Sequence, residues 1–303
     1  MMEIPPYPQS RPLVFTDKAR FDPLFHQLQP RISELTFAGL YLFRHAHAYR
    51  LTMAGDSIVI LGRSYAGTPF FFPPLGGDVS AALDRLFADQ LPLYGADEPF
   101  VSSYLNGRPC TVSTDRDNAD YLYRRQDLAE LHGHRYHKKM NRLKVFTNRY
   151  DYEVSLYSQD YRDGCRALLA AWQEDQMQAG ENLSLEREAQ ATAEALELAE
   201  ALGISGVVVL VNKKVKGFVL GERLNQETSV CHFEKADPRM EGLSQLLDRE
   251  FNRLLFTDCT YVNREQDLGD EGLRLAKNSY HPIELISKYR AIPLPSKSFH
   301  ILS

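Results

Sequence analysis

The stretch 228–247, TSVCHFEKADPRMEGLSQLL, places His232 and Glu234 on one face of a strand and Phe233 and Lys235 on the other. A polar strand face is either solvent or a site. Further polar groups follow in YVNREQDLG at 261–269, with Asn263, Arg264 and Glu265, and in GLRLAKNSYHP at 272–282, with Lys277 and Tyr280. A carboxylate such as Glu234 or Glu265 can take the proton from an attacking amine or hydroxyl, one of the three things acyl transfer needs beside donors for the oxyanion and a route to protonate the leaving group. Between these groups the chain runs Arg239-x-x-Gly242-x-Ser244 into a helical pattern carrying Leu243, Leu246, Leu247, Phe251 and Leu254. Free backbone N–H groups at a helix start, beside a glycine that admits close approach, suit an anion such as phosphate.

Each group also has a plainer reading. Glu234 suits an ion pair with Lys235 or Arg264, and Glu265 one with Lys277. Tyr280 reads as a core tyrosine, and Asp267 as an N-cap. Lys277 stands at a helix end, where the macrodipole favours a cation and where a phosphate or substrate carboxylate could also use it.

The elements that must hold these residues follow from the hydrophobic period. After a Pro-rich lead-in at 1–14 the pattern predicts helices at 17–28 and 33–45, the second capped by Ser33, then a hairpin of 48–54 and 57–63. A short strand in TPFFFPPLGG and a helix at 78–89 come next. A long basic helix at 126–147 precedes a second round: a strand at 152–157, helices at 160–177 and 185–202, a hairpin of 206–211 and 215–222, and the strand 228–236. The helix 242–256, a strand at 260–263, a helix at 269–276 and a last strand at 282–291 complete it. The repeated order predicts two similar mixed domains, 15–150 ending in the basic linking helix and 151–303 carrying the anion-binding turn.

Composition narrows the function. A chain of 303 residues with 44% hydrophobic residues can bury ordinary cores, and its apolar runs are too short to span a membrane, so a cytoplasmic protein is expected. The four cysteines lack C-x-x-C spacing and read as reduced thiols. The pairs His45/His47 and His132/His134, with His137, have no partners completing a zinc set, so no metal is expected. A net charge of −5 argues against nucleic-acid binding over the whole surface. LHGHRYHKKMNRLKVFTNRY at 131–150, however, has no acidic residue and carries Lys138 and Lys139 among six cations, which reads as a solvated face or as one polyanion-facing surface.

The element order resembles the GNAT acyltransferase fold, in which a Q/R-x-x-G-x-G/A turn binds pyrophosphate. Arg239, Gly242 and Ser244 match that turn, with Ser in the last place. HFEKAD at 232–237, YVNREQDLG, GLRLAKNSYHP and the basic RYHKKMNRLKVF at 135–146 resemble the family named for the C-terminal domain of phosphatidylglycerol lysyltransferase, related to Fem-type aminoacyl transferases. The resemblance implies an α+β fold of tandem GNAT-like domains, each a mixed, mostly antiparallel sheet flanked by helices, the first degenerate in donor binding and shaping the acceptor side. It implies donor contacts at Arg239, Gly242, Leu243 and Ser244, and catalysis among Glu234, Glu265 and Tyr280, the last as leaving-group acid. Substrate contacts are implied at His232, Lys235, Asn263, Arg264, Lys277, Lys138 and Lys139. The donor is then aminoacyl-tRNA, met by the basic helix 135–149, or acyl-coenzyme A, with no cofactor tightly bound. The acceptor is a small molecule, a peptide or a lipid headgroup bearing an amine or hydroxyl. A competing reading is a non-catalytic module that binds a phosphorylated ligand or a protein.

Overall fold

The computed structural model describes residues 2–179 and 183–295, and the elements named here are those among them. In chain order they are β1 (Arg11–Pro12), α1 (Lys18–Leu28), α2 (Phe37–Leu42), β2 (Arg50–Ala54), β3 (Ser57–Arg63), β4 (Pro69–Phe71), α3 (Val79–Ala88), β5 (Leu93–Ala96), α4 (Glu98–Phe100), β6 (Cys110–Thr114) and β7 (Asp120–Arg124). There follow α5 (Arg125–Glu130), α6 (His137–Arg149), β8 (Tyr152–Leu156), α7 (Arg162–Ala179), α8 (Leu183–Leu202), β9 (Ser205–Val211), β10 (Lys214–Arg223) and β11 (Thr228–Ala236). The last are α9 (Leu243–Leu254), β12 (Tyr261–Asn263), α10 (Glu271–Asn278), β13 (Glu284–Ile286) and β14 (Tyr289–Pro293).

The chain divides into two compact units that interleave. The first comprises 1–17, 44–116 and 287–303, and the second 18–43 and 117–286, so the boundary expected at residue 150 falls inside the second. The first unit's sheet has the order β1-β2-β3-β4-β5-β14-β6, and the second's β13-β7-β12-β11-β10-β9-β8. Each contains one β-α-β step whose strands run parallel, β4-α3-β5 in the first and β11-α9-β12 in the second; the other strand pairs are antiparallel.

Several expected elements differ, each for a local reason. Ser33 does not cap α2: its N–H and hydroxyl donate to Asp120, and Thr36 accepts from the Gly39 N–H as the cap instead. The long basic helix is two, because Leu131 at φ 48 ends α5 in the left-handed region and Gly133 at φ 89 redirects the chain. The expected last strand is also two, β13 pairing with β7 in one sheet and β14 lying between β5 and β6 in the other.

In the first unit, Leu83, Leu86 and Phe87 of α3 bury against Val59, Phe71, Leu93 and Ala291. In the second, α9 shows the i, i+3, i+4, i+8 stripe of a helix on a sheet, with Leu243, Leu246, Leu247 and Phe251 packed on Val209, Val219 and Val262. Leu128 of α5 with Leu143 and Phe146 of α6 joins the same core.

Candidate functional site

The second unit's parallel pair is short. β11 and β12 are in register only over Thr228–Val230 against Tyr261–Asn263. β11 continues to Ala236 beside β10 alone, while Arg264 and Glu265 beyond β12 stay bonded to Tyr121 of β7 and part from β11. The two strands therefore open into a gap, where Glu234, Arg264 and Tyr280 meet.

Arg264 spans the gap. Its Nη2 donates to Glu234 Oε2 at 3.0 Å and its Nη1 to Asp248 Oδ2 of α9 at 2.7 Å. The guanidinium carbon lies 5.0 Å from the centroid of the Tyr280 ring, and Lys139 of α6 sets its ammonium 3.9 Å from the same centroid. Tyr280 Oη is buried close to the Asp248 carboxylate. Burial and the Asp248 charge together outweigh Arg264 and push the Glu234 carboxyl up to about 7. Burial lowers the Lys139 ammonium to about 8, and raises the Tyr280 phenol well above its usual range. A carboxyl balanced near neutrality, beside a cation and a protonated phenol, is a set that can accept one proton and donate another.

A second network lies along the same strand. His232 donates from Nδ1 to Glu265 Oε1 at 2.7 Å and from Nε2 to Glu222 Oε1 at 2.8 Å, so both of its nitrogens are committed to protein. Asn263 donates to Asp120 at 3.0 Å and accepts from the Glu265 N–H at 2.8 Å, which fixes the turn on which Arg264 and Glu265 stand. Lys277 is buried and donates to the carbonyls of Arg264 and Gln266 at 2.5 and 2.6 Å. Burial, then Arg264, lowers its pKa to about 8. Asp267 does not cap α10. It accepts from Tyr121, Arg274 and the Gly269 N–H, and Asp270 is the cap.

The two ion-pair readings divide. Glu234 does pair with Arg264, and its pKa shows that the pair leaves it protonatable near pH 7. Glu265 pairs with His232 and not with Lys277. Lys235 faces the other side of β11, where its ammonium meets Glu188 of α8 at 2.5 Å and lies 3.8 Å from the Trp172 ring, away from Glu234.

The helix start beside Glu234 is built by close approach. Gly242 has φ +90, and a Cβ there would lie 2.0 Å from the Arg142 carbonyl oxygen of α6. The glycine thus admits a neighbouring helix. Arg239 is 79% exposed and forks onto Asp237, which Lys216 also reaches and whose pKa falls, chiefly through Arg239, to about 2. Leu243 is core, while Ser244 is near enough to Glu234 to lower it. Gly242→Val, which forces both the positive φ and the contact, is expected to destabilise the fold by about 2 kcal/mol or more, measured by urea unfolding. An unchanged unfolding midpoint would count against the packed-helix account.

On α6, Lys138, Arg142 and Lys144 are exposed and make no ion pair among the described residues. Three site residues escaped the sequence reading: Glu222, Asp248 and Asp120. Only Asp248 had a readable signal, since it lies four residues after Ser244 on the buried stripe of an amphipathic helix. Among the described residues no helix is long and apolar enough to cross a membrane.

Two mixed, mostly antiparallel sheets flanked by helices, each with a single β-α-β step, are the tandem GNAT-like α+β arrangement expected from the sequence. The chain belongs to the family described as phosphatidylglycerol lysyltransferase, C-terminal, whose model matches residues 25–292. Among solved structures it is similar to a conserved protein of unknown function from Bacteroides thetaiotaomicron VPI-5482, with 30% identity over 94% of this chain and 99% of that one and a TM-score of 0.85. It shares its fold with L-PGS from Bacillus licheniformis, at 11% identity over 86% and 92% of the two chains and a TM-score of 0.55. FemX shares it too, at 8% identity over 94% and 97% and a TM-score of 0.57. A comparison with curated proteins gave no match.

Proposed function

We propose that this protein transfers an aminoacyl group from aminoacyl-tRNA to an amine or hydroxyl acceptor, with Glu234 as general base and Tyr280 as the proton donor to the leaving oxygen. The observation that carries the reading is Glu234 itself, a carboxyl held at about 7 in the gap between two parted strands. At that value it is ionised often enough to accept a proton at neutral pH and basic enough to hold it. Arg264 and Lys139 supply positive charge beside it for the oxyanion, and Tyr280 offers a buried, protonated hydroxyl. Family membership and the fold shared with FemX favour the aminoacyl donor over a coenzyme A thioester.

The donor is decided by salt. If Lys138 and Arg142 meet tRNA phosphates, the affinity of tRNA falls steeply with salt in filter binding, and Lys138→Ala with Arg142→Ala flattens the log–log slope by about one to two units, at about 0.7 to 0.9 per phosphate. The pair lies on the exposed face of α6, so the fold should survive the change. A slope identical in wild type and the double variant, with coenzyme A binding at micromolar concentration, would replace tRNA by the thioester donor.

A further inference from the structure

An ionised carboxylate only accepts hydrogen bonds, so an imidazole held by Glu222 at 2.8 Å and Glu265 at 2.7 Å carries a proton on both nitrogens. The three residues come from three places: Glu222 from the end of β10, His232 from the middle of β11, and Glu265 from the turn after β12. The β10–β11 register shifts at Leu220/Gly221, just where His232 is brought towards Glu222. On the other side the β11–β12 ladder has already stopped, at Val230 against Asn263. No backbone pairing of β11 with β12 fixes the gap beyond that point; the side-chain bridge crosses it. Glu265 stands at φ 56, a left-handed backbone uncommon for glutamate; its N–H on Asn263 and its carbonyl under the Tyr121 N–H tie the turn to β7, and its side chain ties the turn to β11 through His232. Its neighbour Arg264 carries the contact to Glu234.

We propose that His232 is a positioning residue: as an imidazolium pinned between Glu222 and Glu265, it holds β11 and the turn after β12 at one separation and thereby fixes the Arg264 guanidinium against Glu234. The proposal rests on the reading of Glu234 as the base and extends that site to a bridge that touches no reacting atom. The charged groups around the ring are Glu222 from β10 and Glu265 from the turn, and beyond them Lys277 from α10, Arg264, Glu234 and Asp248 from α9. Burial opposes the ring's charge, yet the two carboxylates outweigh it and push the imidazole up to about 10. The bridge is therefore a permanent strut at physiological pH.

The test needs no substrate. Full-length protein carrying nitrogen-15 in histidine, and separately carbon-13 in the glutamate carboxyls, is titrated by NMR from about pH 5 to about pH 10.5, a range that spans the ordinary His value and the raised values of Glu234 and His232. The His232 signal, identified as the one of nine histidines lost in His232→Gln, should keep its imidazolium shift past about pH 9 and should titrate about two units lower in Glu222→Gln, the scale of removing one adjacent charge. Glu234, identified by Glu234→Gln, should titrate near 7 in the wild type and about one unit higher in both His232→Gln and Glu222→Gln, because a loosened Arg264 stabilises its ionised form less. A wild-type His232 that loses its proton near the ordinary value of 6.5 overturns the proposal by itself. So does a Glu234 titration unchanged in both variants when their circular dichroism matches wild type. If these titrations come out as expected while no donor is ever consumed, the positioning of Arg264 stands and the transferase reading falls.

Discussion

Glu234→Gln is expected to lower the transfer rate by about a hundred- to ten-thousandfold, the usual contribution of a positioned general base. Glutamine keeps the shape and can still accept from Arg264, so the fold and donor affinity should change little and the loss should fall on kcat. The pH profile gives a sharper test. Because the base works in its ionised form, the wild-type rate should rise with pH through about 7, and that limb should vanish in the variant. At higher pH the rate should fall again as the Lys139 ammonium, lowered by burial to about 8, loses the charge it holds beside Tyr280. Steady-state rates across this range, with whichever donor the salt experiment selects, measure both limbs. A variant of wild-type activity, or an acid limb that persists without Glu234, removes the residue from the mechanism.

The largest effect on stability is expected at Arg264. Arg264→Leu leaves Glu234 and Asp248 facing each other in a buried gap with their shared cation gone, a loss of about 3 to 5 kcal/mol for a broken buried ion pair. The cost should depend on pH with a definite sign. Without the cation the folded pKa of Glu234, already raised, rises further above its unfolded value. The folded state then binds more protons than the unfolded one between those values, so stability falls as pH climbs through the window. Urea unfolding at about pH 5 and about pH 8, near the lower and upper parts of that window, should therefore show the greater loss at the higher pH. Combining Arg264→Leu with Glu234→Gln and Asp248→Asn should recover much of it, since the penalty belongs to uncompensated charge. A loss of equal size at both pH values, with no recovery in the triple variant, would assign the effect to packing around Tyr123 and Tyr280 instead.

Much of the second unit was legible because its signals are local. The alternation in 228–236 and the stripe from Leu243 to Phe251 fall within β11 and α9, and Glu234, Arg264 and Tyr280 do meet. What could not be read is whatever depends on partners distant in the chain. Glu222 closes a polar strand end and gives no hint that His232 lies across from it, and Asp120, which takes Ser33 and Asn263, sits on a strand the pattern did not reveal. Strand β7 reads DYLYR and is buried on almost every residue, so it shows no alternation to detect. The boundary at residue 150 had the same cause. Both α1 and α2 belong by contact to the unit that begins again at residue 117, a fact about long-range packing with no mark in composition.

The place of β14 carries a consequence for how the chain is made. It lies between β5 and β6, and it is the last strand in chain order among the described residues. During synthesis β6 cannot gain its ladder partner β14, and β5 keeps an open edge, until roughly 175 further residues have left the ribosome. The second unit, whose strands β7 to β13 are contiguous, can meanwhile close on its own. Assembly therefore runs against chain order: the part that begins first is finished last, and its unpaired edges stay open to misassociation for the length of the wait.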